Sequence, residues 1–436
     1  MLDESLGLGP GFFAFLFFGI MGLVSLNLTG NHRDRTQFQF KLFATAFALR
    51  FLFSIIIYAF GLVNVLGDED GSGWGNGVII ANQWTMQHMG FLDLPSAWRP
   101  AFDNGHRGYG FMLGTLFWFT DAGYRMVAAV LNNFIGAMTV ILVYRVTRSI
   151  FSEWTAVRAA WWCCFMPSLV IWSAQTVKEP TVILLETAAL YACIRLQSRS
   201  FRVRHFWLLL FCLTFLVTFR FYAAYLAILA VVVSLAMPNL RKINFSTVSS
   251  ALVAIVLVVL LYSSGTLIQN ETMLEKFDLK AAQKFRADVA QGAGSGVSMD
   301  VNLETPVGFV YGVGLGAAYL LLAPFPWQWG GGSIRMLLTL PELLVWWYVF
   351  YQFVIPGFKK AVKERFFDIL AVLILLGGLL MLYSVMFGNV GLAYRQRAQL
   401  LPWMLIFAAV GMEMKAREKL MRQMPSRPMP IRISTP

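Results

Sequence analysis

The chain has 436 residues, 58% of them hydrophobic and 15% aromatic, with only 13% charged and a mean hydropathy of +0.64. Soluble domains carry about 25% charged residues, and here apolar stretches near the roughly 20-residue span length recur from end to end. A secreted domain, a cytosolic enzyme and a single-anchor protein are excluded. The net charge of +12 would point to nucleic acid in a soluble chain, but most Lys and Arg sit in short clusters between apolar runs. That pattern is positive-inside topology, and no nucleic-acid partner is expected.

The first apolar run, 11–29, lacks a basic leader and follows Asp3 and Glu4, so it reads as a membrane helix rather than a signal peptide. Further spans are expected over 42–66, 125–145, 159–174, 180–196, 206–219, 221–238, 247–265, 338–356, 367–386 and 399–413. Basic clusters occur at His32–Lys41, Arg145–Arg158, Arg195–His205, Arg241–Lys242, Lys359–Arg365 and Lys415–Arg422. All six fall in the cytoplasm if about 11 spans (roughly 10–13) alternate. The expected fold is therefore all-α, a polytopic integral membrane protein with its N-terminus outside. An N-terminal membrane module (1–265) and a C-terminal one (307–413) flank the outer loop 266–306, and the basic tail 414–436 lies inside.

Two apolar segments, Gly108–Thr120 and Gly308–Pro326, would break the alternation if both simply crossed. Both read as helices lying at the outer interface or dipping partway in, with a full span as the alternative for the second. Loop 266–306, Gly/Ser-rich around "AQGAGSGVS", reads as a mobile cover or as a plain connector. Cys163, Cys164, Cys193 and Cys212 lie within apolar spans without metal-ligand spacing and read as packing residues. No internal repeat is visible, which weakens a transporter reading.

The first outer loop, 67–107, opens with "GDEDGSGWGNG". Asp68, Glu69 and Asp70 are three carboxylates at the outer end of a membrane helix. Such groups are costly near hydrocarbon unless they have a task, and one could serve as a general base. The competing reading is a solvated, Gly-rich turn. The D-x-D-G-S-G spacing also resembles the start of a calcium loop, but the Glu at the twelfth position is missing. The same loop continues "AWRPAFDNGHRGYGF", clustering Arg99, His106, Arg107 and Tyr109 with Asp103. These are acceptor-facing groups or lipid-phosphate anchors. His88 and His106, the histidines on that side, show no metal-ligand spacing.

Lys178 and Glu179 sit in a tight outer turn, "WSAQTVKEPTVILL", and Arg220 in another, "VTFRFYAAYL". Arg395 and Arg397, in "FGNVGLAYRQRAQLLPW", stand at the outer end of the last span. Outer arginines run against the positive-inside rule, and guanidinium pairs bidentately with phosphate. A salt bridge to Glu179 or to the acidic loop is the structural alternative. Acids on one loop and cations on others are what transfer of a group from a membrane-borne phosphate would need. Within the spans, Glu186 is nearly alone as an ionisable residue.

The order of these motifs resembles the GT-C superfamily of glycosyltransferases. The nearest likeness is to bacterial enzymes of the protein mannosyltransferase, aminoarabinose transferase and lipopolysaccharide-core galacturonosyltransferase types. The stretch Asp68–Leu196 carries most of it: the acidic motif with Trp74 and Ala81, then "HRGYGFMLGTLFWF", "AAVLNNFIGAMTVILVYRVTRSIF" and "PSLVIWSAQTVKEPTVILL". "GNVGLAYRQRAQLLPW" adds an Arg-containing late segment. The likeness covers about half the chain in the right order, though each motif is loose. Two apparent helices precede the acidic motif rather than one, and its aromatic is Trp74 rather than the more usual Tyr.

The resemblance implies a sugar donor carried on polyprenyl phosphate, an inverting single displacement and a first-loop carboxylate as base. Asp68 is favoured, Asp70 follows, and Glu69 is third. Lys178, Arg220, Arg395 and Arg397 would hold the donor phosphate. Glu179, Arg99, His106, Arg107, Tyr109 and Trp74 would orient it or the acceptor, which is a lipid, a glycan or a protein. No cofactor is required; a divalent ion (Mg or Mn) on Asp68 and Asp70 is allowed. Membrane lipids are expected contacts, and the expected location is the bacterial inner membrane with the site facing the periplasm. Rival readings are an O-antigen or exopolysaccharide polymerase or ligase acting on lipid pyrophosphate, and a transporter or flippase of lipid-linked sugars.

Overall fold

A computed structural model describes residues 6–29, 33–63, 70–103, 106–121, 123–197, 203–237, 256, 259, 278–292, 296–297, 301–331 and 334–423. These residues are organised as helices and turns, with a single isolated bridge between Gly296 and Asn389. Among the described residues three helices are long and apolar enough to cross a membrane: α1 (Leu8–Thr29), α2 (Arg33–Ala59) and α7 (Arg125–Ile150). Between α2 and α7 come α3 (Asp70–Met86), the short α4 (Leu94–Ala97) and α5 (Arg99–Asp103), and α6 (Gly108–Thr120). Then follow α8 (Glu153–Phe165), α9 (Pro167–Ser173), α10 (Glu179–Gln197), α11 (Val203–Phe219) and α12 (Phe221–Ala236). The C-terminal half holds α13 (Leu279–Gln291), α14 (Pro306–Leu322), α15 (Ile334–Val349), α16 (Ile355–Arg365), α17 (Leu370–Val385) and α18 (Val390–Gln423). The expected span 247–265 lies outside the described residues apart from positions 256 and 259.

Helix α7 is the hub, packed against α1, α2, α8 and α10, while α18 packs on α8 and α16. The described basic residues around Arg145–Arg158, Lys359–Arg365 and Lys415–Arg417 converge on one end of this bundle, while Arg241–Lys242 lies outside the described residues. Arg145 donates to Gln39 (2.7 Å) and Thr29 (2.8 Å). Glu413, near the far end of α18, accepts from Ser152 (2.7 Å), from Thr155 and from Arg417. All four cysteines are buried and free.

Several boundaries differ from expectation, each for a local reason. The run 159–174 is broken at Met166, whose backbone is extended (φ −62, ψ 114), because Pro167 lacks an N–H and disfavours helix at the residue before it. The break is bridged by polar groups from α2. Arg50 donates to the Cys164 carbonyl at 3.4 Å, and Ser54 donates to the Ala174 carbonyl at 2.8 Å. Arg50 is thus a second buried ionisable residue inside an apolar helix, one that the reading of Glu186 as nearly alone passed over. The stretch 338–356 runs on through a π turn (Phe350–Val354) into α16, and 399–413 is the middle of a longer helix that carries part of the basic tail.

The Gly-rich opening of the first loop is helix rather than turn from Asp70 onward. Gly73 and Gly77 are where α3 closes on α6: a Cβ on Gly77 would meet the Leu113 Cβ at 2.6 Å. Part of loop 266–306 is also helical, as α13. The second ambiguous segment forms α14, lying along α17 and α18. Its terminal carbonyls are capped from neighbouring helices, Leu321 by the Trp346 indole and Leu322 by the Trp347 indole, both at 2.8 Å. The last carbonyls of a helix lack intrahelical partners and need such donors where the end is packed against other helices.

The α16–α18 crossing sets a measurable constraint. A Cβ on Gly411 would stand 2.1 Å from the Phe353 carbonyl oxygen, and one on Gly357 would stand 1.9 Å from that of Phe407. Both obstacles are backbone. Gly411→Val is expected to lower stability by about 1–3 kcal/mol, measured as thermal unfolding in nanodiscs. Gly377→Ala, with nothing within 4 Å, should leave it unchanged or slightly raised. Equal effects at the two positions would deny the close crossing.

Candidate functional site

At the end of the bundle opposite the basic clusters, a cavity of about 630 Å³ opens between α3, α6 and the turn before α10. Its polar wall includes Asn76, Gln83, His106, Arg107, Lys178 and Arg395. Among the described residues, the charged side chains lining it are all cationic.

Each is placed by a short-range cause. Gly73 lets α3 approach: a Cβ there would stand 2.7 Å from the Tyr109 ring and 2.8 Å from the Thr176 carbonyl. The helix that begins at Asp70 therefore forms one wall of the cavity. Asn132, fully buried in α7, fixes the opposite side. Its amide nitrogen donates among the Gln175 carbonyl (2.6 Å), the Val177 carbonyl (2.8 Å) and the Tyr109 hydroxyl (2.9 Å). The turn that presents Lys178 is thus tied to the hub helix, and Tyr109 is held with it.

Behind the cavity lies a buried polar chain. Glu179 accepts from Arg395 through both oxygens (Nε to Oε1 2.7 Å, Nη2 to Oε2 3.0 Å) and from Arg220 Nη2 at 2.5 Å. Arg220 Nη1 also donates to the Tyr383 hydroxyl and to Gln399 Oε1, each at 2.9 Å. Tyr383 donates to Gln399, and the Gln399 amide donates to Glu186. The chain runs from the cavity wall two turns into α10. Glu342 braces the same region, accepting from Ser168 (2.5 Å) and Tyr394 (2.6 Å).

The predicted residues separate accordingly. Lys178, Arg395, His106, Arg107 and Tyr109 meet at the cavity. Glu179 holds two arginines, the structural alternative weighed for Arg395. Arg220 is buried behind the cavity rather than in its wall. Arg397 points away, donating to the Leu320 carbonyl at 2.8 Å and to that of Ala323, where it caps the end of α14. Trp74 also serves as a brace: its indole donates to the Gly123 carbonyl at 2.7 Å, and Arg125 lies over its ring at 5.5 Å. Arg99 is exposed and does not line the cavity.

Asp68 and Glu69 lie outside the described residues, and Asp70 is described as backbone only. A metal on Asp68 and Asp70 accordingly falls outside them too, and no group of three or more His, Cys, Asp or Glu among the described residues could hold a metal. Sequence reasoning missed Asn132, Gln399 and Tyr383. The signal for the first was present, since adjacent amides in an apolar helix are as costly as charges unless partnered.

His106 keeps an exposed edge at the cavity rim and stacks edge-on against Phe221, with ring centroids 5.4 Å apart. Desolvation, and then the positive charges of Lys178 and Arg220, lower its imidazole from 6.5 to about 4. An unfolded chain takes up this proton near pH 6.5 and the folded one only near 4, so acidification through that interval favours unfolding. Carbethoxylation of His106, followed by peptide mass mapping, is expected to run at nearly the same rate at pH 5.5 as at pH 7.5. An imidazole of ordinary pKa would slow about tenfold, and that slowing would contradict the assignment.

Compared with known proteins, the chain matches no family model and no curated protein at a significant level.

Proposed function

We propose that this chain is a membrane glycosyltransferase of the GT-C type, moving a sugar from a polyprenyl-phosphate donor to an acceptor hydroxyl. With the basic end in the cytoplasm, the cavity faces the opposite side, which in a bacterial inner membrane is the periplasm. About eleven spans accommodate that orientation.

The observation that carries the reading is the convergence of Lys178, Arg107 and Arg395 on one cavity that is also lined by Gly73 and Asn76 of the helix that starts at Asp70. Cations there suit the donor phosphate and stabilise it as the leaving group. The first-loop acids suit removal of the acceptor proton. Arg220 and Glu179 then serve as supports that hold the Arg395 guanidinium in place.

The test is transfer of labelled sugar from polyprenyl-phosphate donors by the purified full chain in proteoliposomes. Lys178→Ala is expected to raise the KM for donor about tenfold to a hundredfold, the range for a lost charge-assisted bond. No transfer from any such donor, together with translocation of the lipid-linked sugar, would replace this reading with the transporter.

A further inference from the structure

The cationic cavity has a neighbour of about 480 Å³, and Ile80, Gln83, Pro100 and Phe111 line both, so the two form one groove with two compartments. Their chemistry differs sharply. The first has Arg107, Lys178 and Arg395; the second has Gln83, Gln87, Ser96 and Asp93 beside Trp84 and Phe111, and no cation among the described residues lines it. Its rim is set by local bonds, with Gly90 N–H donating to the Asp93 carboxylate at 2.8 Å and Ser96 donating to the Asp93 carbonyl at 2.7 Å. Two side-chain amides, a hydroxyl and one carboxylate offer donors and acceptors in mixture. A neutral polyhydroxylated ligand satisfies such a wall, while a phosphate there would be desolvated without a counter-charge.

A second feature borders the same compartment. Met86, Phe91, Leu92 and Phe119 are 79%, 67%, 90% and 57% exposed, and the first three adjoin Gln87 and Asp93 in sequence. Phe91 and Phe119 are in ring contact at 6.1 Å. From this patch a ladder of rings runs through Trp118, Trp84, Phe111 and Trp98 to Phe215 and the exposed Phe211 of α11. Beyond Arg204 and His205, helix α11 is apolar, and aromatic side chains concentrate where such helices leave hydrocarbon. An exposed apolar patch at that level is suited to lie in the leaflet surface.

We infer that the second compartment seats the neutral carbohydrate headgroup of a membrane glycolipid, with the lipid chains in the leaflet beside Met86, Phe91 and Leu92. Its role as acceptor rests on the glycosyl-transfer reading above. In that role a hydroxyl oxygen of the headgroup bonds to the anomeric carbon of the donor sugar. The anomeric carbon–oxygen bond to phosphate breaks with its electron pair, polyprenyl phosphate leaves, and the hydroxyl proton passes to a first-loop carboxylate.

The test uses the full chain in nanodiscs of phosphatidylcholine doped equally with a dihexosyl diacylglycerol and phosphatidylglycerol, with retained lipids counted by native mass spectrometry. The dihexosyl lipid should be retained in preference to both phospholipids. Gln83→Leu combined with Gln87→Leu, exposed positions in α3 and in the turn just after it, should cut that retention about tenfold or more. Ser96→Trp, which fills the compartment, should do the same, and Leu92→Glu should weaken retention through the patch alone. Undiminished retention in all these variants, or preference for phosphatidylglycerol in the wild type, overturns the site. A transfer assay on the same preparations separates the two claims. Gln83-dependent retention without any sugar transfer removes the enzyme reading and leaves the site; undiminished transfer to the dihexosyl lipid by the Gln83/Gln87 variant keeps the enzyme and removes the site.

Discussion

Replacing one first-loop aspartate by asparagine, Asp68→Asn or Asp70→Asn, is expected to lower the rate of sugar transfer by about 10²–10⁴-fold, the contribution of a positioned general base. The amide keeps the size of the carboxylate and cannot take the proton. A loss confined to kcat, with the KM for donor unchanged, therefore marks a group that acts only in the transition state. Asp68 is the first choice and Asp70 the second, with Glu69→Gln as the third comparison. The helix that starts at Asp70 brings Gly73 and Asn76 onto the wall of the cationic cavity, and the acidic motif directly precedes those residues in sequence. Full transfer in both aspartate variants would remove the acidic loop from the chemistry.

Glu179→Ala should be the most damaging single change behind the cavity. The carboxylate is 2% exposed and holds Arg395 and Arg220, which are 14% and 7% exposed. Removing it leaves two guanidinium groups with little solvent and without the carboxylate that joins them. Breaking a buried pair in this way costs about 3–5 kcal/mol, because the stranded charge stays desolvated. The expected outcome is a large fall in thermal stability in nanodiscs, together with weakened donor binding as Arg395 leaves its position. Glu179→Gln should recover part of the loss, since one oxygen still accepts. Adding Arg395→Gln to Glu179→Gln should cost less than the two single losses summed. Strict additivity would show that the pair is not coupled.

The hydrophobic runs and the clustering of basic residues between them were legible in the chain, because each depends on residues close together in sequence. Helix α6 has the same limits, 108–120, as its apolar run, and the break at Pro167 follows from one residue's missing N–H. A solvated, Gly-rich turn is one of two sequence readings of "GDEDGSGWGNG", in line with the low helix propensity of isolated glycine. Only contact with α6 explains why a helix there keeps its glycines. Arg50 and Asn132 stood in plain view in apolar helices, but their meaning lies in carbonyls of a distant break and a distant turn.

The sequence by itself determined the solvent of this protein, the helical character of its elements and the residue types able to bind a phosphate or remove a proton. Those follow from composition and periodicity, which are local. Tertiary structure alone decided which cations face the cavity and which are spent on support. Arg395, Lys178 and Arg107 line it, while Arg220 is bound to Glu179, Tyr383 and Gln399, and Arg397 to the end of α14. The physical reason is that a buried guanidinium takes whatever acceptors the packing brings within 3 Å, and those acceptors come from helices far apart in the chain.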